Sequence, residues 1–423
     1  MALRVWESGL RIEVGNEKLG ILYADDVILL GESSEELQEM LDIVSEYGRD
    51  FNVKFNNAKS QVLVVNGEEA DRDRTWRLDG EEVKRTDKYK YLGLWIDENG
   101  CDNTKSERIS RANQWWGRLS SVAKKRANKY EVVRGVWKGM SLPSLMYGLE
   151  TIAWTGNDMD KLEVVQNKVG RIALGANSFA AVEAIRGDMG WSTFRERLRK
   201  GALTYRLTLE TMEQNRWAKR VYEWNKRSSR WVKMCTRMDR KYGGGRGNDR
   251  ERGDIRSYDS GKRDIRKRVQ KKGWEEWRQG METKSSLEWY RAKEVPRREL
   301  FLDGNQGSSL LFKARSKSLE VNSRVYRWGN EGSKQCRMCD GGQDETVEHM
   351  FLECPRYVSE RREMISVVTR EVGMERWAAI QGEGTDRMME VLLGLSCGKE
   401  WNNATAENVK RFLEKVWGKR KGE

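Results

Sequence analysis

The stretch Leu22-Tyr-Ala-Asp-Asp-Val-Ile-Leu-Leu30 sets two adjacent carboxylates between two apolar runs. Leu19-Gly-Ile-Leu-Tyr23 before them and Val27-Ile-Leu-Leu30 after them read as strands. Ordinary hairpin turns favour Asn-Gly, Asp-Gly or another glycine pair. Two acids at such a turn repel each other and lose hydration, and a bound cation is the natural remedy. Divalent ions held by carboxylates serve phosphoryl transfer, two ions about 3.5–4 Å apart clamping the attacking and leaving oxygens. A solvent-exposed acidic turn is the competing reading of these residues alone.

Outward from the hairpin the pattern stays mixed. Leu10-Arg-Ile-Glu-Val14 alternates, and Gly15-Asn16 is turn chemistry. Ser33 or Ser34 can cap a helix whose apolar positions Leu37, Met40, Leu41 and Val44 share one face. Asn56-Asn-Ala-Lys-Ser60 turns into a strand at Gln61-Val-Leu-Val-Val65, and Tyr89 to Ile96 reads as one further short strand. This is a compact α+β unit. From Thr104 onward the spacing is helical: Leu162, Val165, Val169 and Ile172 repeat, with Gly175 at a C′ position. Pro143 suits the start of a helix, and Ser192 can cap one running to about Met212. Three Pro against 40 Gly fit a largely helical chain with glycine stops.

Composition narrows the class. The 423 residues allow two to four domains, and their formal net charge is +13. Mean hydropathy is −0.83, yet 18 Trp argue against wholesale disorder. No apolar run reaches the roughly 18–20 residues a bilayer span needs, and the N-terminus lacks an apolar signal core. The expectation is an intracellular chain, nuclear or cytoplasmic, neither secreted nor membrane-bound. In residues 216–300, 27 Lys and Arg stand against 13 acids, so the rest of the chain is near neutral overall. Trp217, Trp224, Trp231, Tyr242, Tyr258, Trp274, Trp277, Trp289 and Tyr290 are threaded through that stretch. Cations neutralise phosphates and aromatic faces stack on unpaired bases, so RNA and single-stranded DNA are the expected partners. Arg263, Arg266, Lys267, Arg268, Lys271 and Lys272 are the candidate contacts; a weak nuclear-import reading covers the same run, and a solvated helical face is the bland alternative. The run from Lys241 to Asp249, with its glycines, reads as a flexible break.

Cys336-Arg-Met-Cys339, nine residues, His349, four residues and Cys354 give C-x2-C-x9-H-x4-C, and His349 is the only histidine. Three thiolates and an imidazole are the donor set of a closed tetrahedral structural Zn²⁺ site. Cys101, Cys235 and Cys397 are expected to be free thiols.

Tyr23-Ala-Asp-Asp26 in a hairpin resembles the Y-x-D-D signature of the reverse-transcriptase palm. The helix after it and Asn56-Asn-Ala-Lys-Ser60 resemble the next palm motif, and Tyr91-Leu-Gly-Leu-Trp-Ile96 resembles the primer-grip strand. The Cys/His pattern is similar to the knuckle downstream of the polymerase in non-LTR (LINE-type) retrotransposons, with the Cys339–His349 gap one residue longer. Gln166 to Arg171 and Leu174-Gly175 look like the segment that follows the palm in such elements. The resemblance implies Asp25 as a direct Mg²⁺ ligand, Asp26 as a supporting acid and Tyr23 beside the incoming nucleotide. It makes Lys59 a proton donor or a phosphate-neutralising lysine, and Tyr91, Leu92, Gly93 and Leu94 a grip on the primer, Leu92 and Leu94 reading better as core. No small-molecule cofactor is implied.

The family also needs a third carboxylate from an earlier palm strand and an upstream fingers subdomain, and only 22 residues precede Tyr23. The implied fold is α+β: a partial palm (antiparallel sheet with a helix) at 1–100, a mostly helical thumb-like domain at 101–230, a basic helical segment at 231–325, a small zinc knuckle at 326–360 and a helical tail at 361–423. The expected function is that of a fragment of an RNA-directed DNA polymerase, inactive alone and partnered by an upstream polymerase fragment. A noncatalytic nucleic-acid-binding zinc-knuckle protein and a group II intron-type maturase are the alternatives.

Overall fold

A computed structural model describes residues 12–14, 17–19, 21–23, 25–65, 67, 73–97, 102–124, 128–242, 258–329, 332–395 and 403–422. The Gly15-Asn16 turn, the glycine run at 243–247, Cys101 and Cys397 lie outside these residues. Among the described residues the chain is mostly helical, with short strands confined to its N-terminal part. Two compact units divide it: Met1–Ser110 with Gly148–Thr155 and Arg199–Arg266, and Arg111–Tyr147 with Gly156–Leu198 and Lys267–Glu423. No helix among the described residues is long and apolar enough to cross a membrane.

Among the described residues of the first unit, nine strands form four small sheets: β1 (Ile12–Val14) with β2 (Glu17–Leu19), β3 (Ile21–Tyr23) with β4 (Asp26–Ile28), a sheet of β5 (Gln61–Leu63), β6 (Trp76–Leu78) and β7 (Glu81–Thr86), and β8 (Lys88–Tyr91) with β9 (Leu94–Asp97). The helix Ser34–Phe51 starts where the Ser33 hydroxyl accepts from the Glu36 amide, and it ends in left-handed Asn52. Its Met40, Leu41 and Val44 pack with Val62, Trp76, Leu78 and Val83 into one core. The Trp76 indole donates to the Ser34 carbonyl at 3.3 Å, and Gln38 exchanges two hydrogen bonds with the Arg77 backbone. β5 pairs in parallel with β7, so this sheet is mixed, whereas every other pairing is antiparallel.

Two hairpins correct the sequence reading. Tyr89 to Ile96 is two strands, because Leu92 and Gly93 both have positive φ, 46° and 82°, and close a tight turn. Leu92 is accordingly 37% exposed and not core. The β6–β7 hairpin turns at Asp79-Gly80 with φ of 51° and 82°, an Asp-Gly signal that the sequence reading passed over.

The second unit is helical. Leu162, Val165 and Val169 of the helix Gly156–Leu174 are buried, and Gly175 follows with φ +61°, as the spacing predicts. Pro143 stands in the first turn of the helix Leu142–Met146, as its fixed φ favours. It sits in a continuous helical run after a π-turn at Trp137–Ser141, where the Leu142 amide reaches back to the Trp137 carbonyl. The cap at the helix Phe194–Thr211 is Thr193, not Ser192: its hydroxyl accepts from the Glu196 amide while Glu196 accepts from the Thr193 amide.

A buried ionic group holds this unit together. Asp188 Oδ1 accepts from Tyr290 (2.6 Å), Lys293 (3.0 Å) and Arg315 (2.9 Å), and Glu299 pairs with the same Lys293 and Arg315. Arg315 also donates to the Leu393 and Gly394 carbonyls. Burial pushes the Asp188 carboxyl up, but Arg315 and Lys293 outweigh it and hold it below the usual carboxylate range.

Candidate functional site

The carboxylate hairpin is tight. Tyr23 faces Asp26 across β3 and β4, with Asp25 in the turn. Tyr23, Asp25 and Asp26 are all exposed, so the acids are solvated and not desolvated as the sequence suggests. Among the described residues neither acid has an ion-pair partner, and no third carboxylate joins them in a metal-sized cluster. Lys59 is exposed, its amide held by the Asn56 carbonyl and side chain, and no ion pair ties it to the hairpin. Tyr91 does come close. Burial raises its phenol, and Asp26, then Tyr23 and Tyr89, add to the shift. Leu92 and Gly93 form the β8–β9 turn, and Arg108, fully buried, donates to the Gly93 carbonyl at 3.1 Å. Leu94 is half-buried and lies against Gly148, where a Cβ would stand 2.8 Å from its methyl.

The second centre is assembled. Donor atoms of Cys336, Cys339, His349 and Cys354 all lie within 4.8 Å of one another. Cys336 and Cys354 sulfurs are 3.9 Å apart, and Cys339 Sγ is 3.5 Å from His349 Nε2. A tetrahedral Zn²⁺ with bonds of about 2.3 Å to sulfur sets ligand sulfurs about 3.8 Å apart, so the four side chains fit that ion. A bridge between Gln335 and Asp344 aligns the first two cysteines, with the Cys336 amide on the Gln343 carbonyl at 2.8 Å. His349–Glu353 forms a π-turn, which brings the Cys354 amide to the His349 carbonyl. Its extra residue per turn swings His349 and Cys354 to one side. His349 Nδ1 contacts Glu353 at 3.3 Å, leaving Nε2 for a metal. Burial pushes the Cys336 thiol up to about 12 and raises Cys354 too; a bound cation reverses that preference, because ligation takes the thiolate.

Comparison with protein families adds two matches. Residues 6–96 match the model of reverse transcriptase (RNA-dependent DNA polymerase), and residues 305–359 match that of zinc-binding in reverse transcriptase. The protein is related to reverse transcriptases. No curated protein matches the chain. The zinc-binding match of this reverse-transcriptase relative begins well before Cys336 and takes in the helix Gln306–Arg315. Both matched segments belong to proteins that handle nucleic acid, and a nucleic-acid-binding surface is the coarse expectation they support.

That surface is smaller than composition suggested. The helix Tyr258–Glu282 buries Ile265, Val269, Gly273, Trp277 and Met281, one residue in four, and leaves Arg263, Arg266, Lys267 and Lys271 exposed, without ion-pair partners among the described residues. Arg268 and Lys272 are half-buried, and Lys272 pairs with Glu275. Four of the aromatic candidates for base stacking are core instead: Tyr242, Trp277, Trp289 and Tyr290. Trp277 donates to the Glu183 carbonyl and Trp289 to Asp386. Trp224, Tyr258 and Trp274 keep open faces.

A second basic tract escaped notice because the bulk count outside 216–300 is balanced. No acid occurs between Glu107 and Glu131, whereas seven Lys and Arg do. Arg118 covers the Trp115 ring and Lys168 the Trp116 ring. A windowed charge count finds it at once.

Proposed function

We propose that the chain is the C-terminal, nucleic-acid-handling part of an RNA-directed DNA polymerase of the non-LTR retrotransposon type. The observation that carries the reading is the occurrence, in this order in one chain, of a reverse-transcriptase segment and the zinc-binding segment associated with it. In this reading Asp25 ligates Mg²⁺, Asp26 supports it, Tyr23 lies beside the incoming nucleotide and Lys59 meets the pyrophosphate. Tyr91 to Leu94 hold the primer backbone. Cys336, Cys339, His349 and Cys354 hold a structural Zn²⁺, and the basic helix binds RNA and single-stranded DNA. Palm half, thumb-like helices, basic segment, knuckle and tail follow one another along the chain.

These 423 residues alone do not polymerise. Two-metal catalysis needs carboxylates converging from separate strands, and Asp25 and Asp26 share one exposed hairpin. Without firm metal binding the main electrostatic stabilisation of phosphoryl transfer is absent. Primer extension on an RNA template with Mg²⁺ or Mn²⁺, parent against Asp25→Asn, tests this. Silence from both, with nucleic acid still bound, is expected; extension that disappears in the variant overturns the claim of inactivity. Silence without any binding sinks the whole reading.

A further inference from the structure

Gly175 ends the helix Gly156–Leu174 with its Cα bare, and two side chains from elsewhere in the same unit close over it. A Cβ there would collide with Ser309 and stand 3.2 Å from Lys129 Nζ. The stem of Lys129 runs over Gly304, another glycine without room for a side chain, which aims the ammonium at Gly175. Lys313 lies one helical turn beyond Ser309 on the helix Gln306–Arg315, hence on the same face. Gly175, Lys129, Ser309 and Lys313 are all half-buried, so the notch is open to solvent.

Its charge is unbalanced. Neither Lys129 nor Lys313 has a hydrogen-bond or ion-pair partner among the described residues. Burial lowers the Lys129 ammonium and the charge of Lys313 lowers it further, with no carboxylate offsetting either. Asp303, whose carbonyl accepts from the Tyr130 amide, is occupied by Lys410 at 3.2 Å, Ser308 and Asn305, and Glu131 is paired with Arg298. In the helix Lys129–Val136 the Tyr130 amide is taken by Asp303 and the Glu131 and Val132 amides by Asn128. The Ser309 hydroxyl already donates to the Asn305 carbonyl at 2.9 Å, so the two half-buried ammonium groups are left to each other, and they repel until an anion with several oxygens lies between them.

We propose that Lys129 and Lys313 form a phosphate-binding notch beside Gly175 and Ser309, whose phosphate comes from a nucleic-acid backbone or from free phosphate. The first source rests on the nucleic-acid reading above; the second does not.

The test uses the full zinc-loaded chain, Lys129→Gln, Lys313→Gln and Lys313→Arg. Inorganic phosphate replacing chloride at constant ionic strength should raise the parent's thermal midpoint by about 2–4 °C. Both Gln variants should lose that rise, and Lys313→Arg should keep it. Without phosphate at low salt the Gln variants should be as stable as the parent or more so, since repulsion is relieved. A short single-stranded oligonucleotide gives the second arm. If the notch takes a backbone phosphate, each Gln variant lowers the slope of log affinity against log salt by about 0.7. Loss of the phosphate effect with an unchanged slope assigns the notch to free phosphate. A phosphate effect that survives in both Gln variants, or is missing from the parent, overturns the proposal, while oligonucleotide binding by the parent independently decides the nucleic-acid reading.

Discussion

Arg420, in the last helix of the chain, makes a two-pronged ion pair with Glu345, at 2.7 and 3.0 Å. Glu345 stands between Cys339 and His349 in sequence and is almost fully buried. The same guanidinium holds the Glu320 carbonyl and Asn322, stacks over Trp417, and the Glu345 carboxylate also accepts from the Asn322 amide. Phe351, two residues past His349, packs on Phe412 of the same last helix. The tail is therefore part of the fold around the Cys/His cluster.

Removing Arg420 leaves a buried carboxylate without its cation, a loss of about 3–5 kcal/mol. Arg420→Ala should lower the thermal midpoint and speed zinc loss to a chelator. Lys at this position should rescue only in part, because it cannot pair with both oxygens in the same geometry. Chelator kinetics identical to the parent's would show the pair to be irrelevant to the cluster.

One Zn²⁺ per chain is expected in purified protein, and Cys336→Ser, Cys354→Ser or His349→Ala should abolish it with loss of local order. Glu353→Gln should retain zinc but bind it about 10–100-fold more weakly, since Glu353 orients the His349 ring. Metal analysis of folded protein with a ratio near zero contradicts the assignment.

Charge reversal at Arg263, Arg266, Lys267 and Lys271 should weaken binding of RNA and single-stranded DNA and reduce its salt dependence without unfolding the chain. Point substitutions leave the fold intact where a deletion of the basic stretch would not, because Trp277, Trp289 and Tyr290 are core. Unchanged binding by the fourfold variant would transfer the role to the 108–130 tract.

Two carboxylates should make stability fall as pH rises. Burial raises Glu196 against the pull of Arg186, and burial likewise raises Glu163 although it accepts from the Phe194 amide. Each binds its proton more tightly folded than unfolded, so the native state gains below the folded value and loses upward from about pH 4.3. Glu163→Gln and Glu196→Gln should flatten that slope in denaturant melts taken from pH 4 to 7.

Asp188 has the opposite sign. Its lowered value gives stability that is present above about pH 3.9 and disappears only in stronger acid. Asp188→Asn should cost about 3–5 kcal/mol at neutral pH by leaving the two buried cations Lys293 and Arg315 to share Glu299 alone. A melt within experimental error of the parent's would rule the network out as a keystone.

What was legible in the sequence is local. The helix after the hairpin, the Gly175 stop, the Tyr23–Asp26 turn and the Cys/His donor set are spacings of a few residues, and backbone geometry converts such spacings directly into neighbours. Which side chains meet across the fold was not encoded that way. Trp274 and Trp277 sit three residues apart in the same basic run, and only packing against Glu183 makes one core and leaves the other exposed. Glu345 and Arg420, Asp188 and Arg315, Lys129 and Lys313 are far apart in sequence, and no periodicity links them. Their pairing depends on which helix faces bury the most apolar surface together, and the charges are then matched, or left unmatched, by where those faces bring them.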